Sequence, residues 1–459
     1  MKRFAPTWIL ILVAIILGTV TVWTLRRAEE SPEIAARRLV AFDPNSIERL
    51  VFERPESPTV VLELKLDDWQ ITSPLPWKAD INTVKPLLSM LEHLFADERF
   101  DDPEADEHYG LDSPRLVLTI ETKDDETAVL EFGNDTPVGW SRYVRLAGQK
   151  EVYTLSQEVA ELLDQDLTDL RDKRIMDIVV TDVRRLSFRY ADGSSIVLMR
   201  VGDKWQIISP FQDEADGLLA EDYVWGIGFM QTTSFIDTPK DLSSYGLDKP
   251  DLQIEMVTRS SHHEEKVHTL NIGKVEVPPP PERSYWGVTT TYYVQSSADD
   301  QTIYEITSDL SELMSLKAEE FINKEVFSEA WASRTQEVQL ITSEGTWTLE
   351  KAGDVWKLEL PDKAPITIER SRVDRILAAV RAVQLDSLER QRSTQLPTAG
   401  DLWTLHVTGL DGKRIGIAVR ETGDDQLWLA TVEGRQHRYR IDGARLRKLQ
   451  DTFNEQAGN

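Results

Sequence analysis

No cysteine occurs in the sequence, which excludes disulfides, thiolate nucleophiles, zinc ribbons and iron–sulfur ligation together. Basic charge is scarce as well: 52 Lys and Arg stand against 79 Asp and Glu, for a formal net charge of −27. A field of that sign opposes nucleic-acid phosphates, so nucleic acid is not an expected partner. The phosphate-binding glycine loop, the dinucleotide fingerprint and the nucleophile elbow are all missing, and nothing arranges Ser, His and Asp as a triad. Apolar material is not lacking. Hydrophobic residues make up 41% of the chain, with 13 Trp, 13 Phe and 11 Tyr, enough to fill packed cores. The length of 459 residues allows about three domains of roughly 150 residues each.

Two stretches recur at one offset. Trp69-Gln-Ile-Thr-Ser-Pro74 returns as Trp205-Gln-Ile-Ile-Ser-Pro210, and Tyr109-Gly-Leu-Asp112 returns as Tyr245-Gly-Leu-Asp248, each shifted by 136 residues. A shared offset for two separate motifs implies copies of one folding unit. In the first copy, alternating segments at Ile47–Glu53 and Thr59–Lys65 lead to the Trp69 strand. A helix follows, with an apolar stripe at Val84, Leu87, Leu88, Leu91 and Leu94. Four strands at Leu116–Glu121, Ala128–Phe132, Arg142–Leu146 and Glu151–Leu155 precede a second helix from Ser156 toward Arg171. The second copy repeats this order through a helix starting at Thr307, with the proline run Pro278–Pro281 read as a stiff surface loop. A worn third copy carries Trp356, a helix stripe at Val373, Ile376, Leu377, Val380 and Val383, and a closing helix from Asp442. It lacks the Tyr-Gly-Leu-Asp turn.

At the amino end, Trp8–Leu25 is uncharged and strongly apolar, and uncharged residues extend it back to Phe4. About 20 such residues suffice to span a bilayer as a helix. Trp8 and Trp23 stand near its ends, and Lys2, Arg3, Arg26 and Arg27 flank it. The expectation is a single-pass inner-membrane protein that contacts the lipid bilayer through residues 4–25, with a large extracytoplasmic or periplasmic domain. The expected fold class is α+β: an N-terminal transmembrane helix followed by three tandem repeats, each a mostly antiparallel sheet with two packed helices. Residues 1–27 form the anchor, 28–45 a linker, and 46–176, 177–330 and 331–459 the three repeats, the last divergent.

Candidate chemistry divides between reactive and structural roles. Asp80 and Asp216 stand 11 residues after Trp69 and Trp205, but Thr367 holds that place after Trp356. Asp and Thr can both serve a helix N-terminus, whereas Thr cannot replace a carboxylate base, so capping is preferred to acid–base work on a glycan. Asp112 and Asp248 fit a structural turn ahead of a proline. Trp69, Trp205 and Trp356 fit a repeated core anchor better than a sugar-stacking platform. His262, His263 and His268 with Glu264 and Glu265 lack the spacing of a helical zinc pair and read as a solvated loop. Residues 335–459 are nearly neutral, with 18 bases against 19 acids, and hold a basic cluster of Arg435, Arg438, Arg440, Arg445, Arg447 and Lys448. That cluster is read as a solvated face, with an acidic partner or the acidic units of the same chain as the alternative.

Trp-x-Ile-x-x-Pro, Ala-Asp ahead of the helix, Tyr-Gly-Leu-Asp-x-Pro, a strand ending in Gly133 or Gly273, and Tyr143-Val or Tyr293-Val occur in that order. Over most of residues 45–328 this pattern resembles a bacterial family known as domain of unknown function 4340. The resemblance implies an N-terminal anchor helix and a genomic neighbourhood of gliding-motility-type ABC transporter components. ABC-type transporter subunits are therefore the expected protein partners. The expected function is a non-catalytic accessory or scaffold protein, the alternative an envelope glycan-binding protein or glycan hydrolase. No catalytic, cofactor-binding or metal-ligating residue is assigned, no cofactor is expected, and no small-molecule substrate is identified.

Overall fold

A computed structural model describes residues 37–101, 103–277, 289–389, 396–398, 400–422 and 427–457. The chain divides into two compact units, one ending at Lys173 and one beginning at Arg174. The first unit carries one nine-stranded sheet and the second carries two, all three with antiparallel pairing throughout.

From edge to edge, the first sheet runs Trp77–Lys78, Asp68–Ser73, Val60–Lys65, Ile47–Glu53, Leu116–Thr122, Thr127–Asp135, Ser141–Leu146, Val152–Ser156 and Glu98–Phe100. Two four-stranded meanders thus meet at the centre, where Ile47–Glu53 pairs with Leu116–Thr122. The ninth strand alone breaks sequence order. The chain leaves one edge after Lys78 and rejoins the opposite edge at Glu98, so the connection must cross a whole face, and helix Ile81–Glu92 makes that crossing.

The second sheet repeats the order with Asp213–Glu214, Lys204–Ser209, Ser195–Val201, Val183–Tyr190, Leu252–Arg259, Glu265–Val277, Thr289–Ser296, Asp299–Ile306 and Ser234–Ile236. The third has Ile366–Ile368, Val355–Glu359, Gly345–Ala352, Thr335–Thr342, Leu402–Gly409, Arg414–Arg420, Leu427–Val432, Arg438–Asp442 and Ser387–Leu388. Helices Gly217–Gly228 and Arg370–Arg381 make the corresponding crossings.

Alternation explains the pairing of faces. In Leu116–Thr122 every second side chain is buried, and Leu116, Leu118 and Ile120 meet the helix stripe Val84, Leu87, Leu88 and Leu91 in one core. Each such side chain contributes about 2 kcal/mol on burial. The stripe outlasts its helix: Leu94 and Val383 lie beyond the last helical turn, yet both are fully buried.

The α+β expectation is corrected to a mostly β chain, because each module sets a nine-stranded sheet against one crossing helix of 12 residues and a few further helical pieces. The expected inner-membrane placement is corrected with it. Among the described residues no helix is long and apolar enough to cross a membrane. The longest of them, Gly443–Ala457, has 15 residues and buries only one face, whereas a span needs about 20 apolar residues. The apolar stretch from Phe4 to Leu25 and the Pro278–Pro281 run lie outside the described residues.

Local boundaries also shift. Residues 38–40, read as linker, form a strand paired with Leu94–Phe95, and Leu39 and Val40 are buried. The helix expected from Ser156 toward Arg171 is two, Gln157–Leu163 and Leu167–Leu170, because Asp166 starts a new one by accepting the Asp169 N–H at 2.9 Å. The helix expected from Thr307 is a short turn of helix at Ser311–Ser315 followed by a 3₁₀ segment at Ala318–Phe321.

Candidate functional site

The three recurring tryptophans are core residues: Trp69, Trp205 and Trp356 are 7%, 2% and 6% exposed. Their rings therefore offer no face on which a sugar could stack. Asp80 and Asp216 are N-caps. Asp80 accepts the Asn82 N–H at 3.0 Å, and Asp216 accepts the Leu218 and Leu219 N–H groups at 3.0 and 3.2 Å. Thr367 departs from this pattern. It lies inside strand Ile366–Ile368, and the third crossing helix starts two residues later relative to its tryptophan, after Glu369, which makes no side-chain cap.

The Tyr-Gly-Leu-Asp turns are held by backbone fit. Gly110 and Gly246 take φ of +67° and +68°. A Cβ placed on Gly133 or Gly273 of the neighbouring strand would stand 2.1 or 2.2 Å from the Tyr109 or Tyr245 carbonyl oxygen. Only glycine permits that approach. Each tyrosine also packs edge-on against a strand tyrosine, Tyr109 on Tyr143 and Tyr245 on Tyr293. Asp112 and Asp248 are exposed.

The histidine group is not brought together. His262 and His263 sit exposed in the hairpin between Leu252–Arg259 and Glu265–Val277, while His268 is buried in the second of those strands, its Nε2 3.1 Å from Thr258 Oγ1. Burial, reinforced by the Lys266 charge, holds the His268 imidazole below its ordinary pKa. Glu265 is engaged by Arg259. Among the described residues no group of His, Asp and Glu forms a metal-binding cluster.

The basic cluster differs from its preferred reading as a solvated face, since several members are engaged within the second compact unit. Arg440 pairs with Glu389 at 2.8 Å, Arg445 with Asp386 at 2.8 Å, and the Arg447 guanidinium lies 4.8 Å over the Trp428 ring. Arg435 crosses from the third sheet to the second module, donating to the carbonyls of Asn323 and Glu325 at 2.6 and 3.0 Å and lying 4.0 Å from Asp213. Arg440, Arg445 and Arg447 are thus engaged inside the third module, and Arg435 reaches the acidic second one.

Arg435 lies on the wall of a cleft of about 560 Å³ between the second and third sheets, lined also by Lys204, Glu214, Glu325 and Trp331. Edge strand Asp213–Glu214 supplies one side of it. The Asp213 side chain is fully buried, accepting the Tyr439 hydroxyl at 2.6 Å and the Glu214 N–H at 2.8 Å. Burial, then the Asp213 charge, pushes the Tyr439 phenol far above its usual pKa. Burial alone would raise the Glu214 carboxyl, but the Lys204 hydrogen bond and charge, with Asn323 and Arg435 adding, hold it below the usual carboxylate value.

Chemically this is a lock. The phenol remains a donor, the buried carboxylate is bound by that donor, and the guanidinium is held by carbonyls. The backbone reinforces the seam: Leu385 N–H donates across it to Lys324 O at 2.8 Å, while Asn323 N–H, inside the second module, holds Glu214 O at 2.9 Å. Asp213 and Tyr439 were not singled out by sequence. The available signal was a comparison of copies, because the place taken by Asp213 is held 136 residues earlier by Trp77.

Fold and seam together define a tandem-repeat, mostly β protein whose recurring tryptophans are core residues and whose Asp80 and Asp216 cap helices. A family model described as a domain of unknown function, DUF4340, matches residues 69–250 and again residues 205–400, and the chain belongs to that family. Both matches open on a recurring tryptophan, Trp69 and Trp205, so the family unit runs past one sheet into the next. The comparison with curated proteins yields no match.

Proposed function

We propose that the chain is a non-catalytic accessory or scaffold protein that presents its sheet modules to other proteins, in association with an ABC-type transport complex. The carrying observation is that the recurring residues, and the seam residues, best suited to chemistry are occupied structurally. Asp80 and Asp216 cap helices, the three tryptophans are buried, and Asp213, Tyr439 and Arg435 bind one another or the main chain. The transporter association rests on the resemblance. The glycan reading loses its main support with the burial of Trp69, Trp205 and Trp356.

Crosslinking of the tagged full chain in native cells, followed by identification of co-purified proteins, tests the proposal. ABC-type transporter subunits are the expected recovery. Failure to recover any of them, under conditions that retain known complexes, removes the association.

A further inference from the structure

The three crossing helices agree on the face they bury. Val84, Leu88 and Leu91 of the first correspond to Ala220, Val224 and Ile227 of the second and to Val373, Leu377 and Val380 of the third. On the outer face they part. Where the first presents Asn82, Ser89 and His93, and the third Ser371, Ala378 and Ala382, the second presents Leu218, Trp225 and Phe229. These three are 82%, 45% and 50% exposed, and the Trp225 and Phe229 rings stack with centroids 5.3 Å apart. Steps of seven and four residues set them along one helical stripe. The sister helices cross their sheets without such residues, so the fold does not require them.

Beside the stripe, a groove of about 560 Å³ runs between this helix and Ser311–Ser315, with apolar walls from Ile227, Met230, Leu310 and Leu313. Gly226 lies along it. Mid-helix glycine costs about 1 kcal/mol relative to alanine, and a Cβ added at Gly226 would meet nothing within 4 Å. Internal packing therefore does not account for this glycine, whereas an occupant lying close against the helix does. The charged residues lining the groove are Asp222, Asp309 and Glu312, all acidic. Residues 1–334 reinforce that sign, with 34 bases against 60 acids.

We propose that this groove and the adjoining stripe dock a basic amphipathic helix of a partner protein. Its apolar face lies on Leu218, Trp225 and Phe229, and its lysines or arginines stand over Asp222, Asp309 and Glu312. An apolar helix face seated in a groove, with charge complementarity at the rim, is a recurrent recognition mode. The inference rests on the reading of the chain as a protein-binding scaffold and gives the partner a chemistry.

The test titrates the full chain with a designed amphipathic helical peptide of leucine and lysine, and with its leucine–glutamate counterpart. The same titrations are run on the triple variant Leu218→Asn, Trp225→Ser, Phe229→His, which carries the first helix's residues at these positions. The single variant Trp225→Ala serves if the triple variant does not fold. The lysine peptide is expected to bind the native chain, to lose about tenfold or more in affinity on either variant, and to lose a smaller factor, with weaker salt dependence, on Asp222→Asn. Equal binding of the lysine peptide to native chain and folded variant overturns the proposal, as does equal binding of the glutamate peptide. Sedimentation showing that the native chain self-associates through the stripe, while the variant is monomeric, assigns the face to a second copy and also overturns it. Loss of transporter recovery in cells with peptide binding intact would remove the transporter association alone.

Discussion

The turn leading into the central pairing of each sheet is built differently in the second and third modules. In the second, Tyr245-Gly246 lies directly on Gly273, backbone against backbone, with Gly246 at φ +68° and Tyr245 packed on Tyr293. In the third, Gly400 at φ +89° approaches the strand end so closely that a Cβ there would stand 2.3 Å from the Glu421 carbonyl oxygen. Side chains complete that contact: Arg420 donates to the Gly400 carbonyl at 2.7 Å, and Trp403 Nε1 donates to Glu421 at 3.0 Å. A glycine at positive φ pressed against the neighbouring strand is what the two share. The tetrapeptide is one way to make that approach, and charged and indole side chains are another.

If backbone fit carries the second turn and side chains carry the third, substitutions should separate them. Gly273→Ala drives a methyl group into the Tyr245 carbonyl, with the Gly246 carbonyl carbon 2.8 Å away, and neither backbone group can yield without breaking the turn. The expected loss is about 3 kcal/mol of local stability. Arg420→Ala removes one charged donor from a carbonyl, and the expected loss in the third module is about 1 kcal/mol. Native-state hydrogen exchange at Leu252–Arg259 for the first variant and Leu402–Gly409 for the second reads each module separately. Equal losses would show that the two turns are held by the same kind of contact.

The modules also differ in how they end. The second closes with the short helix Ser311–Ser315, the third with Gly443–Ala457, which buries Leu446, Leu449 and Phe453 and receives the Trp347 indole N–H on Asn454 at 3.0 Å. Gly443 starts that helix over Trp428, and a Cβ there would lie 2.4 Å from the indole Cε2. Trp428 is 1% exposed and cannot move aside freely. Gly443→Ala is expected to cost about 2 kcal/mol, read as lost exchange protection in the closing helix and in Leu427–Val432. Unchanged protection would mean that the long helix adds little to the third module.

Sequence reading reached the parts of this architecture that are encoded locally. The stripes at Val84–Leu91 and Val373–Val380 are buried as their spacing implies, and Ile47–Glu53 was read at its observed bounds, because periodicity reports directly on which side faces a core. The sheet order was not legible. Its ninth strands, Glu98–Phe100, Ser234–Ile236 and Ser387–Leu388, span two or three residues, too few to show alternation, and their partners lie far along the chain. The seam was hidden for a related reason. Arg435 was visible as a cation, but that its partners are Asp213 and the carbonyls of Asn323 and Glu325 depends on contacts more than a hundred residues apart.

The smallest effect probes the two-residue shift after Trp356, which is also the finest difference between the modules. Asp216 accepts two N–H groups at the start of its helix, whereas Glu369 sits at the equivalent cap position with no side-chain bond to the helix. Its carbonyl alone accepts the Arg372 and Val373 N–H groups. An alanine keeps a carbonyl and loses only a side-chain acceptor. Asp216→Ala should therefore cost about 1 kcal/mol, while Glu369→Ala should stay within about 0.5 kcal/mol of the native chain. Exchange protection in the first turns of Gly217–Gly228 and Arg370–Arg381 measures the pair. A loss at Glu369 matching that at Asp216 would mean that the glutamate caps in solution, so that the third module replaced the residue while keeping its role.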